Sequence, residues 1–421
     1  MNNNTISKSW DIIFSELNIL GILSSKGLFE ISADEIKQIS NKEPRLMCKF
    51  DNRASRPQVF KKNNISIVPI KNGVYRLLQG DCYFSLPSIK SDIEFIEWPF
   101  EKKLETLPKE PCSESQVIDI ALATGLLSYF FEEDNLILTI RGRLRTPPFS
   151  FKIDNHMINV DGVQVEVDAG LEGNKIYMIE AKMGDRDDFH IRQIYYPVRM
   201  WKEKNVTKEI IPVFLTYANE VISISTFKFI DINKLDSIVL DKHKSFSFDE
   251  NPVFLTMEEL LNQVTNIKDI PKNIPFPQAN DLRKVRDTID LVSYGINNRN
   301  DIADFWQVDL RQADYYTNAA HYLGFLERNN KNWKLTEIAN QYIHLPTTQR
   351  NIFFAKNLFS YPIFNKAARI YVNNNRILNE DFLVKVIKEY FSDKYSLNTV
   401  KRRVQTVKSW LNCISNEIGI R

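Results

Sequence analysis

The chain predicts an α/β (α+β) multidomain protein built on a central mixed β-sheet flanked by helices. Three observations predict it. The stretch 163–182, VQVEVDAGLEGNKIYMIEAK, reads as two strands around a glycine-bearing turn. On either side of it, segments with a helical period of apolar residues alternate with strand-like ones, as in SESQVIDIALATGLLSYFF, IIPVFLTY and VISISTFKFI. Beyond the proline cluster of NIKDIPKNIPFPQAN the pattern turns mainly helical, which marks a domain boundary. With 421 residues, 43% of them hydrophobic, the chain can bury more than one core.

The 163–182 hairpin carries the chemistry. Gln164, Glu166 and Asp168 alternate with Val163, Val165 and Val167, giving one polar and one buried face. Gly170 and Gly173 supply turn conformations. The return strand places Ile176, Met178, Glu180 and Lys182 on one side, so its carboxylate and ammonium share space with Asp168. Two carboxylates can hold a hard divalent cation through oxygen, and that cation polarises a phosphate and acidifies bound water. A neighbouring lysine stabilises charge on the phosphate or orients the water. A solvated hairpin is the plainer reading, but the apolar company of Ile176, Met178 and Ile179 speaks against it.

Asp168 followed by Glu180-Ala181-Lys182 resembles the PD-(D/E)xK nuclease signature, with Val167 standing at the name-giving proline. The similarity runs from SESQVIDIALATGLLSYFF through RGRLRTPPFSFKI to DFHIRQIYYPVRMW. Over this middle third the chain is similar to type II restriction endonucleases. The resemblance implies a PD-(D/E)xK core at 89–270, with Mg²⁺ held by Asp168, Glu180 and Ala181, and Lys182 catalytic beside them. It implies Gln193 as a supporting polar residue on the following helix, and Glu114 as an added acid. It implies sequence-specific, ATP-independent cleavage of double-stranded DNA in the cytoplasm, paired with a cognate DNA methyltransferase, and it suits a homodimer.

Taken in order, 1–88 reads as a small N-terminal α/β domain. Trp10, Ile13, Phe14 and Leu17 recur at helical spacing, Ser32 and Glu35 form a capping box, and Asn72-Gly73 marks a hairpin. Its Arg45, Lys49, Arg53, Arg56, Lys61 and Lys62 suit either a DNA-contacting arm or a solvated loop. Ser113 and Glu114 open an amphipathic helix, where Glu114 also complements the helix dipole. Arg141, Arg143 and Arg145 stand at alternate positions of a strand, as phosphate contacts or as an exposed edge. Asp187 and Asp188 can cap a helix running FHIRQIYYP, on which His190 reads as a core or helix-face histidine before a catalytic base.

From 281 to 421 the order helix, turn, helix, β-wing resembles the winged helix appended to many restriction enzymes. Its second helix, ended by Gly324, presents Arg311, Gln312, Tyr315 and Asn318 to a DNA groove, although winged helices also bind proteins. Lys401, Arg402, Arg403 and Lys408 lie on a terminal helix that suits phosphates or a solvated face. This segment holds 21 Lys and Arg against 14 Asp and Glu, while the whole chain carries only +2.

Cys48, Cys82, Cys112 and Cys413 form no C-x-x-C pair, which suits a reducing compartment. No run reaches transmembrane length and MNNNTISKSW has no apolar signal core, so a soluble intracellular protein is expected. No Walker A loop, G-x-G-x-x-G, H-E-x-x-H or G-x-S-x-G occurs. Competing functions are a non-catalytic DNA-binding regulator that keeps the fold, and a repair-type nuclease.

Overall fold

Apolar residues at every second position of 163–182 drive that stretch into the middle of a sheet rather than onto a surface. The computed structural model describes residues 3–87, 93–100, 104–249, 251–391 and 395–418. It is a mixed α/β structure with one seven-stranded mixed sheet and, among the described residues, 17 α-helices. The chain divides into two units. One gathers Met1–Ser88, Pro99–Tyr217 and Ile222–Ser245; the other gathers Ile89–Trp98, Ala218–Val221 and Phe246–Arg421.

In the first unit, the helix Asn3–Glu16 buries Trp10, Ile13 and Phe14 beside a three-stranded sheet. That sheet comprises β1 (Leu28–Ser32), β2 (Ile65–Lys71) and β3 (Val74–Gln79) in the order β1-β3-β2. Both bonds of the Ser32–Glu35 capping box form. Much of the basic stretch is committed internally. Arg53 pairs with Asp81 at 2.7 Å and reaches Asp188, Arg56 lies over the Tyr83 ring, and Lys61 donates to the Ala54 carbonyl.

Next come β4 (Tyr83–Ser85), β5 (Ile93–Phe95), β6 (Ile137–Arg145), β7 (Phe149–Ile153), β8 (His156–Val160), β9 (Gln164–Glu172) and β10 (Ile176–Met183). After them follow β11 (Asp188–His190), β12 (Ile210–Ala218), β13 (Val221–Phe229) and β14 (Ile238–Ser247). The seven-stranded sheet runs β5-β14-β13-β12-β10-β9-β6, with β10 antiparallel to β9 and parallel to β12. One core joins Val68, Leu78 and Cys82 to Phe151, Tyr195, Tyr196 and Phe214, so the first 88 residues pack with the sheet that follows.

The segment after Lys182 departs from the expected helix. Asp188–His190 forms a short strand paired with β4, and the helix begins only at Arg192, running to Lys202. Asp188 accepts from the Arg53 backbone N–H at 2.7 Å, so a partner distant in sequence takes the carboxylate expected to cap a helix. His190 is 1% exposed, and burial holds its imidazole well below the ordinary range. It belongs to the core.

The second unit is mainly helical around one core that includes Trp306, Trp333 and Trp410. The helices Arg299–Trp306 and Leu310–Tyr322 are followed by a hairpin of β15 (Leu326–Asn329) and β16 (Asn332–Leu335). Asp309 caps the second helix by accepting from the Gln312 N–H. A helix at Leu397–Ile418 closes the described chain. No helix among the described residues is long and apolar enough to cross a membrane.

Candidate active site

Strands β9 and β10 pair from Glu172↔Ile176 to Ala169↔Ile179, and there the ladder stops. Asp168 turns its side chain into the gap, where Oδ2 accepts from the Ala181 N–H at 2.9 Å. Past this point β9 remains paired to β6 through Gln164–Val167, and β10 remains paired to β12 through Lys182↔Thr216. The two strands thus separate at the residues that carry the charge. The fork holds largely buried polar groups beside apolar strand positions, with Ile176, Met178 and Ile179 at 5%, 2% and 2% exposure.

Glu180, Lys182, Glu114 and Gln193 meet at this fork. Lys182 Nζ lies 2.7 Å from Glu180 Oε1 and 3.4 Å from Glu114 Oε1, and it donates to the Ala181 carbonyl at 2.7 Å. Gln193, on the Arg192–Lys202 helix, donates its amide to Glu180 Oε1 at 2.7 Å. Its own Oε1 is buried without a hydrogen-bond partner among the described atoms. Glu114 is the first residue of the helix Glu114–Ala123, which Ser113 caps by accepting from the Gln116 N–H. At this helix start Ser113 caps, and Glu114 points to the lysine.

Burial pushes the Glu180 carboxyl up to about 7, with Lys182 opposing and the nearby Asp168 and Glu114 charges adding to the rise. Burial pulls the Lys182 ammonium down, but the Glu180, Glu114 and Asp168 carboxylates outweigh it and hold the ammonium above its ordinary range. The site therefore concentrates negative charge that a single ammonium does not balance. Carboxylate oxygens such as those of Asp168, Glu180 and Glu114 are the kind of donor that a hard divalent cation takes. Ala181, named with the metal ligands from the sequence, has its N–H on Asp168 and its carbonyl on Lys182.

The basic residues fare unevenly. Arg141, Arg143 and Arg145 are all exposed, yet each has a partner. Arg141 donates to the Asp168 carbonyl and to Asp119, Arg143 faces Glu166 at 3.7 Å, and Arg145 donates to the Gly162 carbonyl. In the second unit Arg311 and Gln312 are exposed, and Arg311 Nε donates to the Tyr315 hydroxyl at 2.5 Å. Lys401 and Arg402 are exposed as well. Arg403 corrects the expectation of a phosphate contact. It is 6% exposed, donates to Gln278 at 2.7 Å and lies over the Tyr395 ring, because its helix position faces the core.

Sequence reasoning missed Asp119, which meets Arg141 at 2.8 Å. A lone acid on an amphipathic helix carries no signal of its own, and only the packing of that helix against the sheet brings it to the site.

Three family models match the chain, each described as a domain of unknown function: DUF6996 over 7–77, DUF6997 over 78–247 and DUF7226 over 285–419. The fork and all five residues around it lie inside the 78–247 match. Neither a curated protein nor a solved structure matches the chain.

Proposed function

We propose that the protein is a Mg²⁺-dependent endonuclease of the PD-(D/E)xK kind, cutting double-stranded DNA as a type II restriction enzyme does, without ATP. The observation that carries this reading is the fork, where Asp168, Glu180 and Lys182 converge with Glu114 and Gln193. Asp168, Glu180 and Glu114 would hold the cation, which when bound supplies an acidified water and polarises the scissile phosphate. Gln193 keeps the Glu180 carboxylate oriented through its 2.7 Å bond. Lys182, kept protonated by the carboxylates around it, offers an ammonium to the charge that grows on the phosphate oxygens.

Base readout falls to the second unit in this proposal, with the Leu310–Tyr322 helix as the reading helix of a winged-helix module. Its exposed Arg311 and Gln312 suit base edges, and the adjoining β15–β16 hairpin serves as the wing. A cytoplasmic setting, a cognate methyltransferase and a homodimer belong to the same proposal. The test is supercoiled plasmid incubated with Mg²⁺ or with chelator. Wild-type protein should linearise or fragment it only with Mg²⁺, leaving ends at a fixed sequence. DNA binding without cleavage at any divalent cation would favour the non-catalytic regulator instead.

A further inference from the structure

Arg141 stands in the sequence as the first of three alternating arginines, but the fold treats it differently from the other two. The β6–β9 ladder loses register between Ile140 and Gly142, so Arg141 falls outside the regular pairing. Gly142 has φ +98, and nothing lies within 4 Å of where its Cβ would sit. Glycine is thus required here by backbone conformation and not by space. Bulges of this kind re-aim a neighbouring side chain. The guanidinium of Arg141 has Nε donating to the Asp168 backbone carbonyl at 3.2 Å and Nη2 donating to Asp119 Oδ1 at 2.8 Å. Asp119 lies on the same helix as Glu114, whose carboxylate reaches Lys182.

We infer that Arg141 and Asp119 act as a clamp of positioning residues, fixing the backbone at Asp168 against the helix that carries Glu114. This rests on the nuclease reading of the site and says which contacts set its geometry. The pair is about two-fifths exposed on each side, so its direct contribution to stability is small. Its importance is geometric. Asp168 sits where the β9–β10 ladder has ended, tied to β10 by its carboxylate on the Ala181 N–H and not by ladder pairing, and Glu114 sits on an element outside the sheet. A residue bonded to both elements sets the distance between two proposed ligands, as outer partners of metal sites commonly do. A phosphate contact is the alternative role for Arg141, and it makes opposite predictions.

The test is titration of Mn²⁺ into the full chain by calorimetry, with binding to random-sequence DNA in chelator measured alongside at two salt concentrations. Wild type should bind Mn²⁺ and Asp168→Ala should not. Asp119→Asn and Arg141→Ala should each weaken Mn²⁺ binding about 10-fold or more, and the double variant should be no worse than the weaker single. Arg141→Lys should recover part of the loss, while DNA binding and its salt dependence stay at wild-type values. Asp119→Asn alters an exposed side chain, so it reports on the clamp even if Arg141→Ala fails to fold. Unchanged Mn²⁺ affinity in Asp119→Asn overturns the clamp and leaves the nuclease reading standing. So does an effect confined to one partner, or a lower salt slope for Arg141→Ala with metal affinity intact. Absence of Mn²⁺ binding in wild type overturns the nuclease reading and the clamp together.

Discussion

At the scale of single residues, the fork assigns unequal tasks to chemically similar groups. Asp168 accepts a backbone N–H where β9 and β10 part, whereas burial pushes the Glu180 carboxyl up to about 7. Asp168→Ala and Glu180→Ala should therefore both bring Mg²⁺-dependent cleavage down to background while DNA binding persists. A filter-binding or mobility-shift assay run beside the plasmid assay separates the two quantities, and full cleavage by either variant would remove the site assignment. Lys182→Ala should cost about 10²–10³ in kcat, the order seen when one stabilising donor is lost, with a smaller effect on metal binding. Turnover at the wild-type rate would take Lys182 out of the mechanism.

At the scale of elements, the side chains proposed to meet DNA divide by the surface that carries them. Arg143 stands on an edge strand, more than half exposed and facing Glu166, and in the proposal its guanidinium meets backbone phosphate. Arg143→Ala should weaken cognate and random DNA alike and lower the salt dependence by about one counterion. Arg311→Ala or Gln312→Ala, on a capped helix, should instead weaken cognate binding by about 1–3 kcal/mol per lost bidentate contact. Affinities for both DNAs at two salt concentrations distinguish these outcomes. If the preference for cognate DNA survives both helix variants, the Leu310–Tyr322 helix is a scaffold and readout lies elsewhere.

At the scale of the whole molecule, pH enters through a buried charge cluster in the second unit. Glu220 sits at the tip of the β12–β13 turn with φ +62, bonded to Thr347 and Arg350. Arg350 also pairs with Asp290, so two carboxylates share one guanidinium. Burial pushes the Glu220 carboxyl up to about 7, with Asp290 adding to the rise and Arg350 opposing it. A raised carboxyl favours the folded state most below the unfolded value near ~4.3, and that contribution is lost as pH climbs through about 7. Wild type should consequently lose more stability between acid and mildly alkaline pH than Glu220→Gln, by at most about 4 kcal/mol. Denaturation curves at pH values on either side of that window measure the difference, and parallel behaviour of the two proteins would remove Glu220 as its source.

What the amino-acid order determined by itself is mostly local. Alternation along 163–182 specifies a hairpin, because side chains on a strand repeat every second residue whatever surrounds them, but of the two glycines expected in its turn Gly170 is a paired residue of β9 and only Gly173 lies between the strands. Ser32, Ser113 and Asp309 cap their helices as their spacing implies, since a cap needs only an N–H within a turn of chain. The meeting of Asp168 with Glu180 and Lys182 was legible for the same reason, as these residues share one hairpin. Only tertiary structure decided the rest. It drew Asp188 to Arg53 and made a strand where a helix start was expected. It turned Arg403 into the core, although its basic neighbours Lys401 and Arg402 stay exposed. It also brought Asp119 to Arg141 through a bulge at Gly142. Each of these depends on contacts between residues far apart in the chain, and such contacts leave no periodicity for a sequence to display.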